Sequence, residues 1–280
     1  MPVAKTRSSI RATKSLIGVG ARRPRRNGSA SPVETIRADI LHCELRPGAR
    51  LIFRELQQRY QVGLSPLREA LMQLVSERLV ILEVNKGFRV APMRREELLD
   101  LINTQIELES IAIRKAVELG DLRWEGNIMG SLHEVSSVPV SEANGALSMA
   151  WEARNQAFHE ALYAACGSPM LIAFLQKIWD HFSRYIRLWA RFPERDRDIA
   201  REHAEIARAV VGRDAARAAA LLQEHRMATA RSVLVHWPEA GAPSPVTAPA
   251  AARGRAVQPK LAARAGAKRT IRTIRPRVKK

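Results

Sequence analysis

A chain of 280 residues with 46% apolar content is long enough for two modest domains or one large one, and no apolar run approaches the ~18 residues that span a bilayer. The formal charge of +18 suggests a phosphate partner until it is divided along the chain. Residues 1–28 hold eight Lys/Arg and no acid, residues 238–280 hold eleven and one acid, and residues 29–237 therefore carry 27 charges of each sign.

The basic N-terminal segment is expected to be a disordered tail. Its short run "SLIGVG" (15–20) is followed at once by Arg22, Arg23, Arg25 and Arg26, which is not the pattern of a secretory leader. A first helix is expected over Val33–Cys43, with Ser31 as N-cap, Pro32 in the first turn and Ile36, Ile40 and Leu41 as its apolar stripe. "LRPGARL" (45–51) reads as a turn on Pro47-Gly48, and a short helix follows at 53–60. "VGLSPLREALMQLVSERLV" (62–80) predicts another helix, with Ser65 as cap, Pro66 first, and Leu67, Leu71, Leu74 and Val75 facing inward; Arg68 is left on the exposed first turn. Two β-prone runs, Val80–Val84 and Phe88–Val90, flank Asn85-Lys86-Gly87 and predict a hairpin. Three helices and a hairpin in this order make a winged helix-turn-helix, whose third helix enters the major groove by its N-terminus.

From Arg94 to Trp237 the pattern is helical, with segments expected near 94–119, 122–137, 143–166, 169–191, 195–212 and 214–236. The breaks between them are short, which predicts an antiparallel bundle. The first unit, residues 29–95, sums to +4, whereas residues 96–237 sum to −4, so the phosphate partner is assigned to the former. Cys43 and Cys166 form no CxxC and suit packing in a reducing cytoplasm. Trp124, Trp151, Trp179, Trp189 and Trp237 are expected to serve core and dimer packing, and His133, His181 and His236 to be structural or surface groups. Beyond Trp237 a Pro/Ala/Gly-rich linker runs into the basic tail.

"LRPGARL", "SPLREAL", "ERLV" and "NKGFRV", in that order and spacing, resemble the winged helix of GntR-type regulators. "NQAFHEAL" and "REHAEIARAVVGRDAARAAALLQEH" resemble the all-helical effector domain of the FadR/FCD branch, near its regulators of glutarate and other short-dicarboxylate breakdown. The resemblance implies a mainly α protein: a basic tail (1–28), a winged helix-turn-helix (29–93), an FCD-type effector-binding and dimerisation bundle (94–237) and a linker with a second basic tail (238–280). It implies a repressor of the cytoplasm and nucleoid, acting as a homodimer on a double-stranded operator, with no membrane partner and no catalysis.

By the same resemblance DNA contacts fall on Arg54, Ser65, Arg68 and the wing Gly87. Leu64 stands where the family usually has an arginine, so base recognition there should differ. Asn155, His159, His203 and His225 match a metal site, with Asn155 in place of the usual aspartate, and Zn, Ni or Mn are the cations such imidazoles suit. Arg184, with Gln105 in place of a usual arginine, is assigned to a small carboxylate effector such as glutarate, and Arg187 lies near enough to assist. By residue type alone Arg54, Arg68 and Arg184 also read as solvated helix residues, and the histidines as helix-surface groups. Two other functions compete with this one: a histone-like architectural DNA binder driven by the tails, and a metal-dependent enzyme on the three histidines. The neutral core opposes the first; the lack of HExxH, GxSxG or Walker motifs opposes the second.

Overall fold

The computed structural model describes residues 31–143, 145–190 and 197–237. Both basic tails lie outside the described residues, as do residues 191–196, where one helix is expected to end and the next to begin.

Helix α1 (Pro32–Leu41) opens on a capping box: Glu34 N–H donates to Ser31 Oγ at 3.3 Å, and Ser31 N–H to the Glu34 carboxylate at 2.8 Å. It ends two residues before the expected Cys43, which turns to a φ of 58°. After the turn at Gly48 (φ 73°), β1 (Arg50–Leu51) leads into α2 (Phe53–Tyr60), stopped by the left-handed Gln61.

The next helix, α3 (Leu64–Ser76), corrects the expected cap. Its N-cap is Gly63, whose carbonyl accepts the first helical bond from Leu67 N–H at 3.2 Å. Ser65 therefore sits inside the first turn, and Pro66 is tolerated at the third helical position, where no carbonyl partner is available to an N–H.

Strands β2 (Val80–Glu83) and β3 (Gly87–Val90) form the expected hairpin, with Asn85 and Gly87 at φ 60° and 82°. β1 pairs antiparallel with β3 and makes a third strand, order β1-β3-β2. Two residues are too few for any alternation to show, so this strand is not legible in the sequence. The core of the unit is made by Ile36, Ile40, Leu56, Leu67, Leu71 and Leu74 with Phe88 and Val90. Leu67, Leu71 and Leu74 have no exposed surface, and each contributes roughly 1.5–3 kcal/mol by burial.

The rest is helical: α4 (Arg95–Leu119), α5 (Leu122–Ser136), α6 (Met149–Tyr163), α7 (Pro169–Trp189), α8 (Ile199–Val211) and α9 (Ala215–Val235). Asp121, Ser148, Ser168, Asp198 and Asp214 cap α5 to α9, each side chain accepting from the N–H three residues on. Helix α6 starts six residues later than expected, after an antiparallel bridge between Ser141 and Leu147 and the cap at Ser148. One apolar cluster is centred on Phe158, Leu162, Ile206 and Leu222, and a second on Ile102, Trp179, Phe182 and Val233. Trp124, Trp151 and Trp179 are buried, and Trp237 stacks on Tyr185 at 5.8 Å.

Helix α7 has a second set of neighbours, in the winged unit. Arg184 Nη2 donates to Ala91 O at 2.9 Å, the Cys43 thiol lies 3.9 Å from Arg184 O, and His181 Nε2 is 3.1 Å from Glu77 O. No helix among the described residues is long and apolar enough to cross a membrane.

Candidate functional site

Two constellations follow from this fold, one on the winged unit and one inside the helical unit. On the winged unit Arg54 is exposed on α2, and Ser65 and Arg68 are exposed on the first turns of α3. Among the described residues neither Arg54 nor Arg68 enters an ion pair, so both guanidinium groups keep their five donors for a phosphate or base edge. Ser65 offers its hydroxyl beside the first backbone N–H groups of α3, where an anion is favoured. Gly87 takes its left-handed φ at the wing, at the end of β3 away from Val90.

In the helical unit α6, α8 and α9 bring three histidines together. His159, His203 and His225 are all buried, with candidate ligand atoms within 4.8 Å of one another. Their ring centroids are 4.8–5.3 Å apart. Asn155, one turn before His159, is 5% exposed, and its Oδ1 has no hydrogen-bond partner among the described residues. The same holds for both ring nitrogens of His159 and for Nε2 of His203. Leaving such groups unpaired in a protein interior costs about 1–3 kcal/mol each. One ring nitrogen each of His159, His203 and His225 can face a common cation, and the partnerless Asn155 Oδ1 lies one helical turn from His159 on α6.

The electrostatics suit that occupant. Burial holds His159 and His203 well below the usual histidine range, helped by the nearby Arg226 and by the other imidazoles. Burial also pushes His225 down to about 4, against the opposing hydrogen bond to Glu202. Glu202 is itself raised by burial, but hydrogen bonds from His225 and Arg197 outweigh that and hold its carboxyl at about 2. Glu202 Oε2 lies 2.7 Å from His225 Nδ1 and, being ionised, only accepts. Arg197 Nη2 has two hydrogens, and these are engaged by Glu202 Oε2 at 2.6 Å and His225 O at 2.9 Å. His225 Nδ1 therefore carries the proton and Nε2 the lone pair, the tautomer a metal ligand needs.

A cleft runs from His225 to Trp151, Asn155, Arg197, Arg226 and Thr229. Arg197 Nη1 donates to Thr229 Oγ1 at 3.0 Å. Arg226 is 2% exposed and forks onto Glu109 at 2.6 and 3.0 Å.

Arg184, expected here, is not among the cleft's lining residues. It is 2% exposed, and its Nη2 donates to Ala91 O of the winged unit, so it does not face this cleft as expected. Half a turn around α7 separates its face from that of Ile186, which does line the cleft. Arg187 is engaged by buried Glu152 at 2.9 Å. Gln105 is buried, its amide nitrogen donates to Glu109 at 2.9 Å, and its Oε1 has no hydrogen-bond partner among the described residues. The arginines at the cleft are Arg197 and Arg226, neither of which the sequence singles out. Arg226 adjoins His225, and Thr229 lies one turn beyond it, so helical spacing contained that signal. Arg197 lies outside any helix, and no periodicity marks it.

A family model described as "Bacterial regulatory proteins, gntR family" matches residues 32–90, and one described as "FCD domain" matches residues 100–228. The HTH-type transcriptional repressor GlaR of Escherichia coli (strain K12) is 35% identical over 194 residues, which is 68% of this chain and 88% of that one. The chain belongs to the GntR family. A further member, the HTH-type transcriptional regulator BphR of Paraburkholderia xenovorans (strain LB400), is 34% identical over 227 residues, 80% of this chain and 85% of that one. The solved structure of E. coli McbR/YncC has the same fold, with a TM-score of 0.62 at 21% identity, covering 75% of this chain and all of that one. This GntR-family protein is a sequence-specific DNA-binding transcriptional regulator with an FCD effector-binding domain. Its relatives are regulators rather than enzymes, and nothing in these likenesses supports an architectural or catalytic role.

Proposed function

We propose that the FCD bundle of this regulator holds a divalent cation and a small carboxylate, and that their binding weakens repression by the winged unit. The observation that carries this is the set of unpaired acceptors on Asn155, His159 and His203 beside a His225 held in its ligating tautomer. Asn155, His159, His203 and His225 would hold the metal, with borderline Zn, Ni or Mn matching three imidazoles and one amide oxygen. A bound cation supplies a Lewis-acidic partner for a carboxylate. The chain's own contribution is Arg197, positioned by Glu202 and Thr229, and Arg226, positioned by Glu109. The name of GlaR, a repressor, supports repression, and the resemblance to regulators of short-dicarboxylate breakdown supports a short dicarboxylate.

Helix α7 is the proposed transmitter. Trp179 and Ile186 line the cleft, while His181 and Arg184 on the same helix bond the winged unit. A ligand that prefers one setting of α7 changes the setting of the DNA-binding head. A coupling of about 1–3 kcal/mol shifts operator affinity some 5–150-fold. On this reading the protein works as a homodimer on a two-fold operator in the cytoplasm, at the nucleoid. Arg54, Ser65, Arg68 and Gly87 meet the operator.

The test is fluorescence anisotropy of full-length protein on its own promoter duplex, titrated with glutarate and its shorter and longer homologues. Each titration is run with Zn, Ni or Mn and with chelator. The reading expects release by one chain length, abolished in His203→Ala. Release that is unchanged by chelator and by His203→Ala would remove the metal, and no release by any carboxylate would remove the ligand class.

A further inference from the structure

We propose that Leu64 reads a thymine in the operator through its C5-methyl group. This rests on the placement of α3 in the major groove. Leu64 is the first residue of α3 and 58% exposed, whereas the core contacts of this helix are made by Leu67, Ala70, Leu71 and Leu74. Its presence is not explained by packing.

Its neighbours define what it meets. Leu64, Arg68 and Met72 recur every four residues and share one exposed face of α3, with Met72 45% exposed. Leu64 also borders an open depression lined by Phe53 and Phe88 and edged by Ser65 and Arg68. The two phenyl rings touch edge to face at a centroid distance of 5.8 Å, which fixes an apolar floor. The depression is therefore continuous with the residues assigned to DNA.

In the major groove each base edge offers donors and acceptors, but thymine alone among the unmodified bases offers a methyl group. A leucine side chain has no donor or acceptor and can favour only that methyl. An arginine at the same position would favour guanine O6 and N7 instead. Leu64 thus changes what is read at one position of each half-site, and Arg68 beside it supplies the polar contact.

The experiment begins with selection of a specific duplex from a random library by the full-length protein. Each thymine of that duplex is then replaced in turn by deoxyuridine, which removes the methyl and leaves the hydrogen-bonding edge intact. One thymine per half-site is expected to lose about fourfold in affinity, the worth of one buried methyl-sized group. Leu64→Ala should bind the parent duplex more weakly by a similar factor and be indifferent to that replacement. Selection with Leu64→Arg should enrich guanine at the same position, which also shows that the substituted helix still folds and binds. Wild-type protein insensitive to deoxyuridine at every thymine would overturn the proposal. So would sensitivity that survives in Leu64→Ala, or that disappears only in Met72→Ala. Selection that enriches no sequence at all fails at an earlier step, since it removes α3 as the recognition helix.

Discussion

Arg68 and Glu202 show how differently two charged residues are used. Arg68 is exposed and enters no ion pair among the described residues, so its removal leaves nothing buried and unpaired. Arg68→Ala should leave the melting temperature unchanged while costing about 1–3 kcal/mol of operator binding, if it pairs with a base edge. Anisotropy on operator and shuffled duplexes separates that from a phosphate contact, which would weaken both alike. Glu202 works through His225, whose Nδ1–H it receives. Glu202→Gln removes the charge that fixes the imidazole tautomer and should lower metal affinity about 10–100-fold, the usual cost of losing such a partner. Calorimetric titration with Zn, Ni or Mn checks it; an unchanged constant would mean that His225 is not a ligand. The histidines were legible because three of one scarce residue type fell at family spacing. Arg197 was not, since its role rests on hydrogen bonds to Thr229 and His225 of α9, distant in sequence, and no local pattern encodes those contacts.

Among the elements, those with a long apolar period or an explicit cap were readable: α1 from its capping box, α2 at its stated limits, the hairpin from Asn85-Lys86-Gly87, and the spacing of the bundle helices. What the sequence does not show is short or tertiary in origin, as with the two-residue β1 and the Ser141–Leu147 bridge before α6. The orientation of α7 belongs to the same class. Its sequence marks an amphipathic helix, but only the fold reveals that the face with Arg184 turns to the winged unit. Asp180 stands on that same helix, opposite Arg37, Glu77 and Glu160 and next to His181. Burial, with the two glutamates adding to it and Arg37 opposing, raises its carboxyl from 3.8 to about 6. The unfolded chain ionises Asp180 near 3.8 and the fold only near 6, so the native state is progressively disfavoured as pH rises between those values. Above that window the cost is constant, on the order of 1–2 kcal/mol after allowing for solvent screening of a partly exposed group. Asp180→Asn should therefore stabilise the protein by about that amount at pH 8 and by almost nothing at pH 4. Urea unfolding at the two pH values is the measurement. Equal effects at both would show that Arg37 neutralises the carboxylate fully in the fold.

At the scale of the whole molecule the issue is what the charge of +18 does when none of it belongs to residues 29–237. The winged unit has Arg54 and Arg68 exposed on a patterned core, and on the proposed reading these select the sequence without help from the ends. Nineteen Lys/Arg in residues 1–28 and 238–280 have no such arrangement in sequence, and no aromatic residues are interleaved with them to stack on bases. Their expected contribution is counterion release, which acts on every duplex equally. If the tails engage phosphates, removing them should flatten the dependence of log affinity on log salt by about 0.9 for each phosphate they had neutralised. The ratio of operator to shuffled-duplex affinity should survive, because the groups that discriminate remain. Binding isotherms of the full chain and of residues 29–237, each at three salt concentrations, measure slope and ratio together. A smaller slope with an intact ratio assigns affinity to the ends and specificity to α3. A ratio that collapses towards one on truncation would show that the winged unit does not discriminate without its tails. That outcome would also withdraw the reading of Arg68 and Leu64, since both depend on α3 choosing the sequence.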